Sequence, residues 1–277
     1  MNSGVLLLAH GAPERIEDVP QYLSYVLGGR SVPPQVVEEV RSRYQAIGGS
    51  SPLTHWTKVK AEALEQRIGI PVLYGMRNWR PFIQDAVDQA SRQSITHLSC
   101  VCLAPQYSEM SVGLYRKHTE AAAEGKIALT WAESYHDEPL LIEAFAERLR
   151  GVTAPVLFTA HALPAPNDQY EREARVTAQL VANKAGITQW EFAFQSQGMS
   201  GGQWLGPTVE SVIDRHTGPE LAVQPIGFVC DHVEILYDID IHFKQYAAAR
   251  GIRLTRPESL NGSPTFTNSL AKVAKCQ

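Results

Sequence analysis

Near-continuous apolar, β-rich runs alternate with amphipathic, helix-period segments along the whole 277-residue chain. In the first half the apolar runs read VLLLAH, PVLYGM, HLSCVCLAP and IALTWAES, and in the second half VLFTAHAL, WEFAFQSQ and LAVQPIGFV. Strands that are apolar on both faces and bounded by helices are typical of parallel sheets with both faces covered. The alternation therefore predicts an α/β fold of two Rossmann-like, doubly wound domains.

The alternation of apolar runs and amphipathic segments occurs twice, and this repeat sets the predicted domain boundaries. We assign residues 1–135 to an N-terminal half and residues 136–277 to a C-terminal half, with the boundary at SYHDEP. A chain of this length is sufficient for two domains of ordinary size. The C-terminal helix is a candidate to pack back on the first half.

The first predicted strand of each half ends in a histidine. VLLLAHGAP places His10 where VLFTAHALP places His161. Ligands of open α/β sheets bind beyond the carboxyl ends of strands, so both histidines are candidate site residues. The alternative is a structural histidine at a strand end, and position alone does not decide between the two.

Composition excludes several classes of protein. The formal net charge is −4 and no basic block is present, which argues against a nucleic-acid partner. The N-terminal apolar run is too short for a signal peptide, and no run approaches the length of a membrane span. We therefore expect a cytoplasmic protein without a transmembrane segment. The four cysteines form no C-x-x-C motif or Cys/His cluster, so we expect buried free thiols and not a zinc site or disulfides.

The segment GFVCDHVEILYDIDIHF, residues 227–243, is the most unusual in the chain. A strand runs into Asp231, a predicted helix N-cap. In the helix that follows, Glu234, Asp238 and His242 are spaced i, i+4, i+8 and would share one face. A line of carboxylates and imidazole is a plausible path for a divalent cation. The alternative is an ordinary solvated face, although apolar residues surround the line.

Three other features carry weaker signals. Arg30, on the turn GGR, and Arg43, in RYQAIGGSSPL, could hold an anionic ligand, because guanidinium matches carboxylate and phosphate. GMSGG matches the G-x-S-x-G pattern of a serine hydrolase at Ser200, but the next helix begins only near Pro207, so we interpret it as a glycine-rich loop. No dinucleotide or Walker motif is present.

Read together, these segments resemble the ferrochelatases, the single-chain metal-inserting enzymes of haem biosynthesis. The segments that carry the resemblance are RYQAIGGSSPL, LAPQYSEMSVGLY, ESYHDEP, FTAHALP, FQSQGM, WLGPTV, GFVCDHVEILYDID and SLNGSPTF. The patterns around GGR and RY-A-IGG-SPL are most similar to the coproporphyrin III ferrochelatases.

The resemblance implies a porphyrin cleft between two Rossmann-like domains and insertion of Fe²⁺ without ATP, with release of two pyrrole protons. It places the catalytic positions on His161 and Glu234, which would also contact the metal, with Asp238 and His242 as a possible metal path. Porphyrin-contacting positions of the family fall on His10, Arg30, Arg43, Tyr44, Ser51, Met110 and Trp204.

Two departures from the family pattern matter. His10 stands where coproporphyrin enzymes usually carry a tyrosine that faces the ring's metal, so it could be an axial iron ligand or contact only the ring edge. Met110 replaces a common aromatic residue and makes that wall softer.

The resemblance also sets expectations about cofactors and partners. We expect no cofactor, because Fe²⁺ is a substrate and the lone C-terminal Cys276 argues against an iron–sulfur cluster. Porphyrin and ferrous iron are the expected partners of a monomer. Protoporphyrin IX remains the alternative substrate, and a non-catalytic haem- or porphyrin-binding protein the alternative class.

Overall fold

The computed structural model describes residues 2–198 and 202–274. Within them the chain forms two four-stranded parallel sheets flanked by helices, which confirms the predicted α/β fold class. Ser200 of the glycine-rich loop and Cys276 lie outside the described residues. The first sheet contains β1 (Ser3–Ala9), β2 (Val72–Met76), β3 (His97–Cys102) and β4 (Ala128–Ala132), and the second contains β5 (Val156–His161), β6 (Trp190–Gln195), β7 (Glu220–Pro225) and β8 (Arg253–Thr255).

The two sheets have the same topology. The strand order is β2-β1-β3-β4 in the first sheet and β6-β5-β7-β8 in the second, so β1 and β5 are the equivalent central strands. Val5 pairs with Val72 on one side and Ser99 on the other, and Val156 pairs with Trp190 and Ala222. The repeated rhythm in the sequence therefore corresponds to a repeated sheet. Its strand order reverses next to β1 and β5, where open sheets bind ligands.

Helices cover both faces of each sheet. In the first half they are α1 (Val19–Val26), α2 (Pro34–Ala46), α3 (Leu53–Ile68), α4 (Ile83–Arg92) and α5 (Leu114–Ala123), with a 3-10 turn at Ile16–Asp18 and a π-helical turn at Glu109–Gly113. In the second half they are α6 (Pro139–Arg148), α7 (Asp168–Ala185), α8 (Val209–Arg215), α9 (Val233–Leu236), α10 (Lys244–Ala248) and α11 (Pro264–Val273), with a π-helical turn at Asp238–Phe243. Within the described ranges no helix is long and apolar enough to cross a membrane.

A large hydrophobic cluster extends across both halves. It joins Val5 and Leu7 of β1 to Phe145 of α6 and Phe158 of β5. The C-terminal helix α11 packs on both α3 and α6, and the Ser99 hydroxyl donates a hydrogen bond to the Ala274 carbonyl. Burial of this shared apolar surface is the main favourable contribution to folding and holds the two sheets together. The carboxyl ends of β1 and β5 consequently lie beside a common cavity.

Candidate active site

A cavity of about 280 Å³ lies between the carboxyl ends of β1 and β5. Its walls are mainly apolar, with a few polar groups, which is typical of a small-molecule site. His10 and His161 enter it from the two central strands, and Glu234 enters from α9. Other lining residues are Tyr22, Leu53, Arg77, Leu103, Gln106, Met110, Ser111, Tyr115, Leu163, Tyr170, Phe228 and His232.

His161 is the last residue of β5, and its ring is fixed by the chain beside it. Nδ1 lies 2.5 Å from the carbonyl oxygen of Ala162, to which it donates, and the Tyr170 hydroxyl donates to the His161 carbonyl at 3.1 Å. Because Nδ1 is engaged, Nε2 is the nitrogen left for chemistry. That atom lies 3.4 Å from Oε1 of Glu234.

Glu234 is held at the first turn of α9. The predicted N-cap at Asp231 is wrong, because Nδ1 of His232 accepts the hydrogen bond from the Glu234 backbone N–H at 3.3 Å. Asp231 instead accepts hydrogen bonds from Ser259 and Asn261. An imidazole nitrogen can satisfy a helix N-terminus in the same way as a carboxylate oxygen.

The His161–Glu234 pair shifts the pKa of both side chains in a mainly apolar setting. Burial disfavours the charged forms of both groups, but their attraction and hydrogen bond outweigh it. The pKa of His161 is raised from its usual value, and the pKa of Glu234 is lowered to about 2. The proximity of the two side chains therefore favours a protonated His161 and an ionised Glu234 relative to the isolated groups.

His10 differs from His161 in the direction of its pKa shift. Burial, reinforced by the positive charge of Arg77, lowers the pKa of His10 to about 3, so its imidazole is neutral at physiological pH. The side-chain nitrogen of Asn78 lies 3.1 Å from Nε2 of His10, and the Tyr22 ring meets the imidazole edge-on. The strand turns sharply after His10 because Gly11 has φ +86°, and a Cβ there would lie 2.7 Å from the Trp79 backbone nitrogen.

The predicted line of acidic and imidazole side chains divides into two environments. The helix is not regular after α9, because residues 238–243 form a π-helical turn. Asp238 is buried, and burial raises its pKa to about 6, although the Ser196 hydroxyl donates to its carboxylate. His242 instead faces Glu210, with 3.5 Å between Nε2 and Oε1, and is half exposed.

The predicted porphyrin contacts are distributed around the cavity rather than all inside it. Met110 lines the cavity, and Ser51 is buried and accepts a hydrogen bond from the backbone N–H of Leu53, a lining residue. Arg43 pairs with Glu39 at 2.5 Å and lies 4.0 Å from Asp238. Like Ser51 and Arg43, the other three are not in the cavity wall: Arg30 is exposed, Tyr44 is buried in the cluster of α1 and α2, and Trp204 packs on the shared core.

Several lining residues were missed by the sequence reasoning. Arg77 follows β2 directly, donates to the Met110 carbonyl at 3.0 Å, and lies over the Tyr115 ring. Its place after a strand's carboxyl end is the signal that could have identified it. Gln106 bridges the halves by donating to the Ile226 carbonyl at 3.1 Å, which no local pattern indicates.

Several side chains that could bind a metal line the cavity, but among the described residues they are not clustered. Within residues 2–198 and 202–274, no group of three or more His, Cys, Asp or Glu side chains is arranged to hold a metal ion. Nε2 of His161 and the carboxylate of Glu234 provide two adjacent donors, of the types that bind divalent iron. Cys100, Cys102 and Cys230 are buried free thiols, as the sequence predicted.

The structure resembles solved chelatases in fold. SirB from Bacillus subtilis, determined with Fe³⁺, aligns with a TM-score of 0.64 at 12% identity, over 99% of this chain and 95% of that one. CbiX, the terminal enzyme of sirohaem biosynthesis in denitrifying bacteria, aligns with a TM-score of 0.55 at 13% identity, over 98% of both chains. At these identities the likeness establishes the fold alone.

Sequence comparison identifies the family. The ferrochelatase family model matches residues 2–277. A ferrochelatase of Acidobacterium capsulatum is 46% identical over 99% of this chain and 94% of its own length. A coproporphyrin III ferrochelatase of Geobacillus kaustophilus is 32% identical over 98% of this chain and 94% of its own length. The chain therefore belongs to the ferrochelatase family and is a metal chelatase of haem biosynthesis.

Proposed function

We propose that this enzyme inserts Fe²⁺ into coproporphyrin III, giving coprohaem III and two protons. The observation that carries the proposal is the His161–Glu234 pair, 3.4 Å apart inside an otherwise mainly apolar cavity. Insertion exchanges two pyrrole N–H protons for one Fe²⁺ ion. The site must therefore supply a donor for iron and an acceptor for protons, and this pair offers both.

His161 and Glu234 act as a unit in this proposal. Nδ1 of His161 is engaged by Ala162, so the ring can either ligate iron or accept a pyrrole proton only through Nε2. Both roles need an unprotonated Nε2, and Glu234 raises the pKa of that nitrogen. A proton held on Nε2 therefore has to pass to water before or during insertion.

The apolar walls of the cavity support the proposal through the porphyrin ring. A flat macrocycle presents its nitrogens poorly to a hydrated ion, and a clamp that bends the ring exposes their lone pairs. The energy for bending comes from contacts remote from the metal. Leu53, Leu103 and Leu163 supply apolar contact within the cavity wall.

The choice of coproporphyrin over protoporphyrin rests on charge. Coproporphyrin III carries four propionates and protoporphyrin IX carries two, so the former needs more cationic partners. Arg77 lines the cavity, Arg43 lies 4.0 Å from Asp238, and Arg30 is exposed on the turn after α1. Guanidinium binds carboxylate bidentately. Relatives of 32–34% identity that are coproporphyrin III ferrochelatases agree with this choice.

His10 has a separate role in the proposal, as an axial ligand of iron in the product. It enters the cavity from the first sheet, whereas His161 enters from the second. Its lowered pKa, about 3, leaves the imidazole unprotonated and able to coordinate at any physiological pH. Neutral imidazole is a good ligand for ferrous iron.

We further propose that the enzyme works as a cytoplasmic monomer without a cofactor, with Fe²⁺ as a substrate. The test of the main proposal is anaerobic insertion of Fe²⁺ into coproporphyrin III and protoporphyrin IX, compared side by side. We expect a clearly higher kcat/KM for coproporphyrin III. A higher kcat/KM for protoporphyrin IX would contradict coproporphyrin III as the substrate and favour protoporphyrin IX.

A further inference from the structure

Arg256 joins two carboxylates that flank the glutamate-bearing segment. It follows β8, and only 10% of its side chain is exposed. Nη1 lies 3.1 Å from Oδ1 of Asp231, and Nη2 donates to Oδ2 of Asp240 at 2.6 Å. Nε lies 3.1 Å from both Asp240 oxygens. We call these three side chains the Arg256 clamp.

The clamp encloses the part of the chain that enters the site. Asp231 lies just before α9, and Asp240 lies in the π-helical turn that follows it. Glu234 and Asp238 are between them. One guanidinium therefore sets the distance between the two ends of this segment, although it is not part of the cavity wall.

The segment needs support from outside because its own helical structure is short. α9 has four residues, and a π-helical turn of six residues separates it from α10, which has five. Helical stretches of this length are unstable alone, and a π-helical turn interrupts the regular hydrogen-bond pattern of an α-helix. A Glu234 side chain borne on such a segment can shift or rotate unless the ends are fixed.

The surrounding hydrogen bonds show that the clamp is anchored. Ser259 donates to Asp231 at 2.7 Å, and the side-chain amide of Asn261 donates to the same carboxylate at 2.8 Å. Lys244 donates to Asp240 at 2.9 Å. Ser259 and Asn261 belong to the loop that leads into α11, the helix that packs on α3. The clamp thus ties the site segment to a fixed part of the fold.

We infer that Arg256 is a positioning residue that holds Glu234 against His161 by clamping both ends of the segment that carries it. This inference rests on the proposed role of the His161–Glu234 pair. Lysine cannot replace Arg256, because an ammonium group lacks the planar fork that reaches two carboxylates at once. Displacements of about 1 Å at a reacting group can reduce a rate by about 100-fold.

The test is steady-state insertion by Arg256→Lys, with Fe²⁺ and coproporphyrin III as substrates. We expect kcat to fall by about 10-fold or more while KM for the porphyrin stays within about 2-fold, since Arg256 does not line the cavity. Arg253→Lys is the matched control. Arg253 lies three residues earlier, pairs with Glu220 at the surface, and is 68% exposed, so its kcat should stay unchanged.

A second variant covers the case in which Arg256→Lys does not fold. Asp240→Asn removes the negative charge of one of the two carboxylates and keeps the contact of Arg256 with Asp231. We expect a folded protein with reduced kcat and unchanged KM for the porphyrin. A wild-type kcat in either folded variant, or an equal fall in Arg253→Lys, would overturn the clamp.

Glu234→Gln in the same assay separates the clamp from the proposed function. If Glu234→Gln loses insertion and the clamp variants keep it, only the clamp is overturned. If Glu234→Gln keeps wild-type insertion, the proposed pair is overturned and the clamp with it.

Discussion

The substitution Glu234→Gln removes the negative charge from the site and leaves a side chain of similar shape. In the folded protein the pKa of Glu234 is lowered from 4.5 to about 2, despite burial, by the charge and hydrogen bond of His161. This difference corresponds to ~3 kcal/mol. The Glu234 side chain is 35% exposed, so water screens part of the attraction. We therefore expect a coupling free energy between the two side chains of about 1–2 kcal/mol.

The sign of the pH dependence follows from both groups. A carboxyl with a lowered pKa contributes stability above its unfolded value of 4.5 and loses it as the pH falls toward 2. A histidine with a raised pKa contributes stability below its unfolded value of 6.5 and loses it as the pH rises through its folded pKa. The pair therefore stabilises the protein most between these two unfolded values.

A double-mutant cycle measures this coupling. Urea unfolding of wild type, His161→Gln, Glu234→Gln and the double variant gives the pairwise free energy without the other effects of each substitution. We expect about 1–2 kcal/mol near pH 5.5 and a smaller value near pH 9, because the contribution of a histidine with a raised pKa is lost as the pH rises through that pKa. A coupling that is zero at both pH values, or equal at both, would refute the ion pair.

Three further outcomes are expected. The acid limb of the pH–rate profile should have its midpoint above pH 6.5, because the pKa of His161 is raised. In Glu234→Gln this midpoint should move to lower pH, and the same midpoint in both proteins would contradict the coupling of His161 to Glu234. His10→Ala should alter the visible absorption of the bound haem product while insertion is largely kept, and identical spectra would remove the axial ligand. Gly11→Ala should lower the free energy of unfolding by ~1–3 kcal/mol, because the new Cβ would lie 2.7 Å from the Trp79 nitrogen at a positive φ. Gly28→Ala is the matched control, since Gly28 also has a positive φ but no atom lies within 4 Å of the new Cβ, and it should lower the free energy of unfolding by less.

The main features of the fold could be predicted from periodicity, because long apolar strands between amphipathic helices leave few alternatives. Each of the seven predicted apolar runs contains a strand of the two sheets. The eighth, Arg253–Thr255, has three residues, two of them exposed, and is too short to produce a pattern. The π-helical turn at Asp238–Phe243 could not be predicted from residue spacing alone, because i, i+4 spacing assumes a regular α-helix.

The site was predictable where it depends on strand ends. His10 and His161 follow from that rule, and Arg77 obeys it too but was overlooked. Glu234 could be identified as unusual, but the 3.4 Å approach of its carboxylate to His161 depends on how α9 packs against the second sheet. The capping role of His232 also depends on tertiary structure, because aspartate is the stronger N-cap and precedes it.

The most direct test of the central claim is anaerobic Fe²⁺ insertion by wild type and His161→Ala, with coproporphyrin III and protoporphyrin IX. Binding of each porphyrin should be measured by absorption in parallel. We predict that wild type prefers coproporphyrin III, and that His161→Ala binds it normally but inserts iron about 10²–10⁴-fold more slowly. Wild-type turnover by His161→Ala would contradict the account of this site.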